Sequence, residues 1–278
     1  MPDDLPLFAA LTRPDQDAPA DQRVLSGDCL DLLPALPEAS ADVVVTSPPY
    51  NLGLAYRGYE DRRAEGEYLD WMVRVAAALR RVMRPDGSFF LNIAGSPSAP
   101  WLPFELIVRL RALFVLQNHI TWVKSIAVEA NSVGHFKPVA GQRFLHHNHE
   151  HIFHLTLSGD VRLDRLAVGV PFKDKSNIAR RGHAQDLRCR GNTWFIPYET
   201  VQSRAEKFHH PGTFPVALPR WCIRLHGRPG ASVLDPFMGT GTTLLAARLE
   251  GARGIGIELD PSYVAVARER LGLAVGGN

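Results

Sequence analysis

The sequence has few cysteines and no way to pair them locally. Cys29, Cys189 and Cys222 are the only three in 278 residues, widely spaced and odd in number. No Cys-x-x-Cys occurs, which argues against a disulfide framework or a cysteine zinc site and makes a reducing cytosol the expected compartment. Long apolar runs are also missing. None reaches the roughly 18 residues that a membrane span requires. The N-terminus lacks a basic region followed by an apolar core, so no signal peptide and no membrane partner are expected. Net charge is small, formally +2, and no internal repeat is visible. What remains is an ordinary globular composition, 45% apolar and 22% charged. The length exceeds the roughly 100–200 residues of a single domain, which fits one large α/β domain with an insertion or two small domains.

Residues 1 to 22 carry Asp3, Asp4, Asp15, Asp17 and Asp21 against Arg13, with prolines interspersed, and read as an acidic disordered tail. Order is expected to begin at "RVLSGDCL". "DVVVTS" (42–47) is an apolar run bounded by turn residues, as in a strand buried on both faces. Between Glu67 and Arg84, apolar residues recur at helical spacing until Pro85-Asp86-Gly87 breaks the pattern. "SFFLNIA" reads as a strand, "PFELIVRLRALF" as a helix with proline at its start, and "LQNHITWVK" and "HIFHLTL" as strands. Residues 159–208 interrupt this rhythm with polar and basic sequence. It resumes with the strand "ASVLD", a glycine-rich turn, the helix "LLAARLEG", the strand "RGIGIEL" and a helix N-capped by Asp260. Alternating strands and helices predict a layered α/β domain with a mostly parallel sheet.

Two stretches carry chemistry. The first is Asp235-Pro-Phe-Met-Gly-Thr-Gly-Thr-Thr243, a strand, a glycine turn and the start of a helix. Glycine lets a ligand approach the backbone closely. No lysine follows Gly241, which excludes a P-loop, and Leu244 stands where a dinucleotide fingerprint needs its third glycine. Asp235 would repel a pyrophosphate and suits a cationic amine instead. Glu258 ends the next strand, where an acid holds ribose hydroxyls in α/β nucleotide sites. An ammonium group joined to an adenosine ribose describes S-adenosylmethionine. The second stretch is Ser47-Pro48-Pro49-Tyr50 at the tip of the "DVVVT" strand. Consecutive prolines fix φ near −65° and hold the strand-end carbonyls and the Ser47 hydroxyl in place.

Together these stretches resemble the amino-directed DNA methyltransferases. Ser47 to Tyr50 is similar to their catalytic motif and Asp235 to Thr243 to their cofactor motif. The order, catalytic first, resembles the permuted β group over nearly all of residues 23 to 272. The resemblance implies a Rossmann-like S-adenosylmethionine-dependent α/β fold, with a mostly parallel sheet and helices on both faces. It divides the chain into a catalytic part (23–158), a target-recognition insert (159–208) and a cofactor-binding part (209–278). It implies that Ser47 and the Pro48 carbonyl hold the target amine, and Tyr50 offers a face to an extruded base. For the cofactor it implies Asp28 and Cys29 at the adenine, and Thr213, Phe214 and Pro215 near the methionine end, although relatives often have lysine where Phe214 stands. Phe237, Gly239, Thr240, Gly241, Thr242, Thr243, Glu258 and Asp260 complete that set, and Glu150 lines the base pocket.

The chemistry is coherent with this likeness. An exocyclic amine is a poor nucleophile because its lone pair is delocalised into the ring. Acceptors already aimed at its N–H groups favour the tetrahedral nitrogen that attacks a methyl group. No metal is needed, and carbon-5 chemistry is disfavoured because no Pro-Cys occurs. Serine at the first catalytic position resembles cytosine-N4 enzymes; aspartate or asparagine there usually marks adenine N6, the second reading. An RNA or protein amine is a more distant one. The basic residues Lys173, Lys175, Arg180, Arg181, Arg188 and Arg190 are expected on the phosphates of double-stranded DNA. The resemblance also admits a cognate restriction endonuclease and a homodimer as partners. His147-Asn-His-Glu-His151 spells a zinc-peptidase pattern that requires a helix, but it runs into strand-like alternation and is read as a polar DNA face or as structural histidines. Trp194 is expected in the core.

Overall fold

The computed structural model describes residues 21–54, 59–135, 138–180, 185–198 and 213–273. Of the expected acidic tail, residues 1–20 lie outside this set, while Gln22 already belongs to a strand. The chain runs β1 (Gln22–Ser26), α1 (Cys29–Leu32), β2 (Ala41–Thr46), α2 (Glu65–Val82), β3 (Met83–Ile93), α3 (Leu102–Leu110) and β4 (Val115–Val123). A hairpin of β5 (Ser125–Val128) and β6 (Asn131–Gly134) follows, then β7 (His149–Thr156), α4 (Ser176–Arg180) and β8 (Thr193–Phe195). The last third holds α5 (Ala217–His226), β9 (Ser232–Asp235), α6 (Thr242–Leu249), β10 (Arg253–Glu258) and α7 (Pro261–Arg270).

Eight strands form one sheet in the order β1-β10-β9-β2-β3-β7-β4-β8. Only β7 runs against its neighbours, antiparallel to both β3 and β4. β2 is buried at every position, as a central parallel strand covered on both faces must be. Val44, Leu91 and Leu234 face a core shared with α1, α2 and α3. Val43, Val45, Phe90 and Val233 face the opposite core with α5 and α6. β2 pairs with β9 in parallel, Val43 opposite Val233 and Val44 opposite Leu234, which sets the two chemically marked strand ends side by side.

The Pro85-Asp86-Gly87 break differs from its sequence reading. α2 ends earlier, at Val82, and Met83 is already extended with ψ 141°. Proline pushes the preceding Arg84 out of helical space, so the helix stops before it. Pro85, Asp86 and Gly87 instead lie within β3, between its pairs Ala41–Met83 and Val43–Ser88, where the register with β2 shifts. A Cβ on Gly87 would meet the Arg84 carbonyl at 2.9 Å, so only glycine fits this bulge. The segment after residue 159 is also more integrated than an insert need be. Val161, Val168, Phe172 and Trp194 are buried, and β8 adds to the sheet edge in parallel with β4.

A polar bolt crosses the second core. Ser88 Oγ lies 3.0 Å from both His154 Nε2 and His226 Nδ1, and His154 Nδ1 lies 3.0 Å from Asn118 Nδ2. Burial pushes the His154 imidazole down to about 3, with the neighbouring His226 adding to the effect. Ser88→Ala should cost about 1–3 kcal/mol, because two buried ring nitrogens lose their partner. The unfolded chain takes up the His154 proton near 6.5, well before the native state does. Its stabilising contribution is therefore complete above that pH and is lost as pH falls toward 3. Urea titrations across this window should show a shallower acid loss for His154→Gln than for wild type; equal slopes would mean that His154 titrates freely in the native state.

Candidate active site

The sheet reverses its order of growth between β2 and β9, and the C-terminal ends of strands at such a switch point are where α/β sheets bind ligands. Ser47 follows β2 directly. Its Oγ lies 2.8 Å from Tyr50 Oη. Tyr50 Oη in turn donates to Glu150 Oε2 at 2.9 Å. Asn92, at the end of β3, donates through Nδ2 to Tyr50 Oη (2.6 Å) and Glu150 Oε2 (2.8 Å), and reaches Ser47 Oγ at 3.4 Å. Lys124, just beyond β4, closes the cluster with Nζ 2.9 Å from Glu150 Oε1. This ion pair is 14% and 13% exposed at its two side chains, so it is largely withdrawn from water. Burial, with the Glu150 charge second, pushes the Tyr50 phenol well above its ordinary value and keeps it protonated.

The shelf is braced from below. Pro48 is buried, and the Pro49 carbonyl accepts the Tyr68 hydroxyl of α2 at 2.7 Å. Among the described residues no hydrogen bond reaches the Pro48 carbonyl. The chain turns after Tyr50 through Asn51, whose φ of 58° is rare outside glycine. Asp61 holds that turn. Its carboxylate accepts the N–H groups of Asn51, Leu52 and Leu54, and its carbonyl accepts Gly53 N–H.

Ser47 and Pro49 share a cavity of ≈ 340 Å³ with Asp28, Cys29, Phe237 and Glu258. This is the size of a small-molecule site. Glu258, at the end of β10, accepts Gly239 N–H at 2.9 Å and Asp260 N–H at 2.8 Å. Each of its oxygens keeps lone-pair capacity for a further donor. Burial raises its pKa against those two hydrogen bonds. Asp28 N-caps α1 through Leu30 N–H. Burial first, then the Asp28 charge, pushes the Cys29 thiol up to about 12, so it is an unreactive wall. The opposite wall is aromatic. Trp71 packs 5.4 Å from Phe237 and 5.5 Å from Tyr59, with the Arg63 guanidinium 5.0 Å over the Trp71 ring. Two acids and several aromatic rings lining one cavity fit an adenosine carrying a charged tail.

Other residues of the glycine turn build the site without lining that cavity. Asp235 is 1% exposed. Its carboxylate accepts Thr46 Oγ1 (2.6 Å), Thr243 Oγ1 (2.6 Å) and Phe237 N–H (3.0 Å). Burial still pushes it up to about 6. Its hydrogen bonds thus go to the end of β2, the start of α6 and the turn. Thr240 and Thr242 accept Arg270 of α7. Gly239 and Gly241 take φ of 54° and 81°, and a Cβ on Gly241 would press against Ala267 at 3.1 Å. Asp260 N-caps α7 through Ser262 N–H. Thr213, Phe214 and Pro215 lead into α5. The Thr213 carbonyl accepts the Tyr198 hydroxyl, and Phe214 packs on the second core.

The basic residues differ in what they touch. Arg190 is half-buried: the guanidinium stacks 4.1 Å over Trp221, Nε donates to the Val168 carbonyl, and burial lowers its pKa. Lys175 is ion-paired with Asp186. Lys173, Arg180 and Arg188 are exposed, and Arg181 lies outside the described residues. His149 and Glu150 begin a strand, not the helix that the peptidase pattern needs, so alternation turns Glu150 away from the flanking histidines. Sequence reasoning missed Asn92, Lys124 and Trp71. The polar Asn92 ending an apolar run was the readable signal.

The chain matches the family model described as DNA methylase over residues 41–269. It is 27% identical over 264 residues to the type II methyltransferase M.ScaI of Streptomyces caespitosus, covering 91% of this chain and 82% of that one. It is 28% identical to the DNA adenine methyltransferase YhdJ of Escherichia coli K12, covering 90% and 83%. A Thermus thermophilus protein solved with S-adenosyl-L-methionine superposes with TM-score 0.61 at 28% identity, covering 90% of this chain and 93% of that one. The PvuII DNA methyltransferase, described as cytosine-N4-specific, superposes with TM-score 0.67 over 92% of this chain and 89% of that one; at 24% identity this likeness concerns the fold. Fold, shelf and cavity thus meet in one conclusion: the chain belongs to the N6/N4 family of DNA methylases.

Proposed function

We propose that this chain transfers a methyl group from S-adenosylmethionine to the exocyclic N4 amine of cytosine in double-stranded DNA. The observation that carries this reading is the single cavity in which the Ser47 shelf meets the acids Asp28 and Glu258. The cofactor supplies an electrophilic methyl group on sulfur when bound. Glu258 takes the ribose hydroxyls and Asp28 the adenine amine, against the Phe237 and Trp71 rings. Asp235 contributes negative charge from behind the turn. The Pro48 carbonyl and Ser47 hydroxyl accept the two N–H groups of the target amine, pointing its lone pair along the transfer direction.

A base inside a duplex cannot reach this cavity, so the target is flipped out, at a cost of about a few kcal/mol. Tyr50 offers its ring face to the extruded base while its hydroxyl is tied to Ser47 and Glu150. Residues 159–208 act as target-recognition segment, with Lys173, Arg180, Arg181 and Arg188 on phosphates. The kinship to type II enzymes supports a restriction endonuclease as cognate partner and work in the cytosol. A homodimer is compatible with this reading and is tested by sedimentation.

Serine rather than a carboxylate at the head of the shelf favours cytosine. Adenine N6 is the second reading, supported by the likeness to the E. coli adenine enzyme. Incubation with labelled cofactor and unmethylated DNA, followed by nucleoside mass spectrometry, should give N4-methylcytosine; N6-methyladenine instead would reverse the base assignment. Glu258→Ala should weaken cofactor binding about 100-fold, the worth of two hydrogen bonds to a charged group. An unchanged titration would dissolve the cofactor assignment. Charge reversal at Arg180 and Arg188 should weaken DNA binding and flatten its salt dependence by about one unit of slope per lost phosphate contact. Arg190→Ala should instead lower stability and leave the slope as it was; a flattened slope there would restore Arg190 to the DNA face.

A further inference from the structure

We propose that Ser47, Tyr50 and Glu150 form a proton relay that carries the surplus proton of the methylated amine out of the active site. The proposal rests on the amine-methylation reading above and assigns a route that reading leaves open. The amine nitrogen forms a bond to the methyl carbon, and the pair of the broken carbon–sulfur bond stays on sulfur. The nitrogen is left with one proton too many. A carboxylate at position 47 could keep that proton. A serine hydroxyl cannot, because an alkyl oxonium is a strong acid, so Ser47 must pass a proton on as it receives one.

The hydrogen-bond directions allow one path. Glu150 is paired with Lys124 and acts as an acceptor through both oxygens. Tyr50 has one proton, and at 2.9 Å it points to Glu150 Oε2. The Tyr50 oxygen therefore accepts, from Asn92 Nδ2 at 2.6 Å and from Ser47 at 2.8 Å. The Ser47 proton is thus committed to Tyr50, and beside the long Asn92 contact at 3.4 Å the Ser47 oxygen keeps a lone pair for the amine. A serine donating to the amine would occupy the nitrogen lone pair and block attack. The chain of bonds excludes that orientation. Asn92 fixes the polarity, since turning its amide over would set an oxygen against Glu150. During transfer the amine proton moves to Ser47, the Ser47 proton to Tyr50, and the Tyr50 proton to Glu150. Each oxygen ends with the number of protons it had, except Glu150, which gains one. Tyr50 never becomes an anion, which suits a phenol that burial keeps protonated.

Charged and titratable groups meet this relay from several elements: Lys124 at the end of β4, Tyr68 on α2, Tyr198 after β8 and His151 on β7 itself. The decisive experiment compares wild type with Tyr50→Phe and Glu150→Gln. Single-turnover methyl transfer is followed across pH, with cofactor and DNA affinities measured in parallel. Both variants should keep their affinities and lose about 100-fold in transfer rate, the low end of general acid–base catalysis. A readout independent of turnover is the infrared carboxylate band of Glu150, assigned by difference from Glu150→Gln, which should shift in Tyr50→Phe. Rates within about threefold of wild type, or an unshifted band, would overturn the relay while leaving DNA methylation intact. A wild type that methylates no DNA amine would sink the function beneath it.

Discussion

One buried carboxylate joins the halves of this enzyme. Asp235 sits at the end of β9 and takes the Thr46 hydroxyl from the end of β2 and the Thr243 hydroxyl from the start of α6. Burying a charge in this way is costly unless it is well hydrogen-bonded, and the upward shift of its pKa to about 6 records the cost that remains. What it secures is alignment. Thr46 precedes Ser47 and Phe237 follows Asp235 by two residues, so the proline shelf and the aromatic side of the cavity are fixed to the same side chain.

This matters because the two halves come from opposite ends of the chain. The shelf is made before residue 51 and the glycine turn after residue 234, with a whole sheet edge built between them. A reaction that needs two atoms aligned within a few tenths of an ångström cannot depend on loops for that distance. Here it depends on a parallel strand pair, Val43–Val233 and Val44–Leu234, and on the carboxylate across its end. The supports behind the shelf follow the same logic: Tyr68 below Pro49, Asp61 around the turn that follows Tyr50, Asn92 and Lys124 around Glu150.

The layered fold and both motifs were legible because each is local. An apolar run ending in Ser-Pro-Pro and a strand ending in a glycine turn carry their meaning within a few residues. The use of each side chain was not legible. Sequence gives Thr240, Thr242 and Thr243 alike as hydroxyls of one turn, yet Arg270 claims two and Asp235 the third. Which hydroxyl faces a ligand depends on a helix packed nearly thirty positions away in the chain. Arg190 read as a free cation because nothing nearby in sequence announces Trp221 as its partner. The reversal of β7 was equally hidden, since alternation looks the same in either direction. Asn92 could have been suspected: an amide at the end of "SFFLN" breaks an apolar run and needs a partner.

The neck between β4 and β7 has a consequence for how strain reaches the reactive cluster. The Asn148 carbonyl accepts the N–H groups of Lys124 at 2.7 Å and Ser125 at 3.4 Å, so the chain leaves the sheet and rejoins it through a single closed doorway. The β5–β6 hairpin and the described residues up to His147 lie between these two points in the chain, with Ile126, Val128, Val133 and Leu145 exposed. Lys124 and Glu150 stand just inside it. The excursion is tied off at its base: because its two ends are joined by the Asn148 carbonyl, a strain arising within it reaches Lys124 and Glu150 only through that one pair of hydrogen bonds and the strands they adjoin.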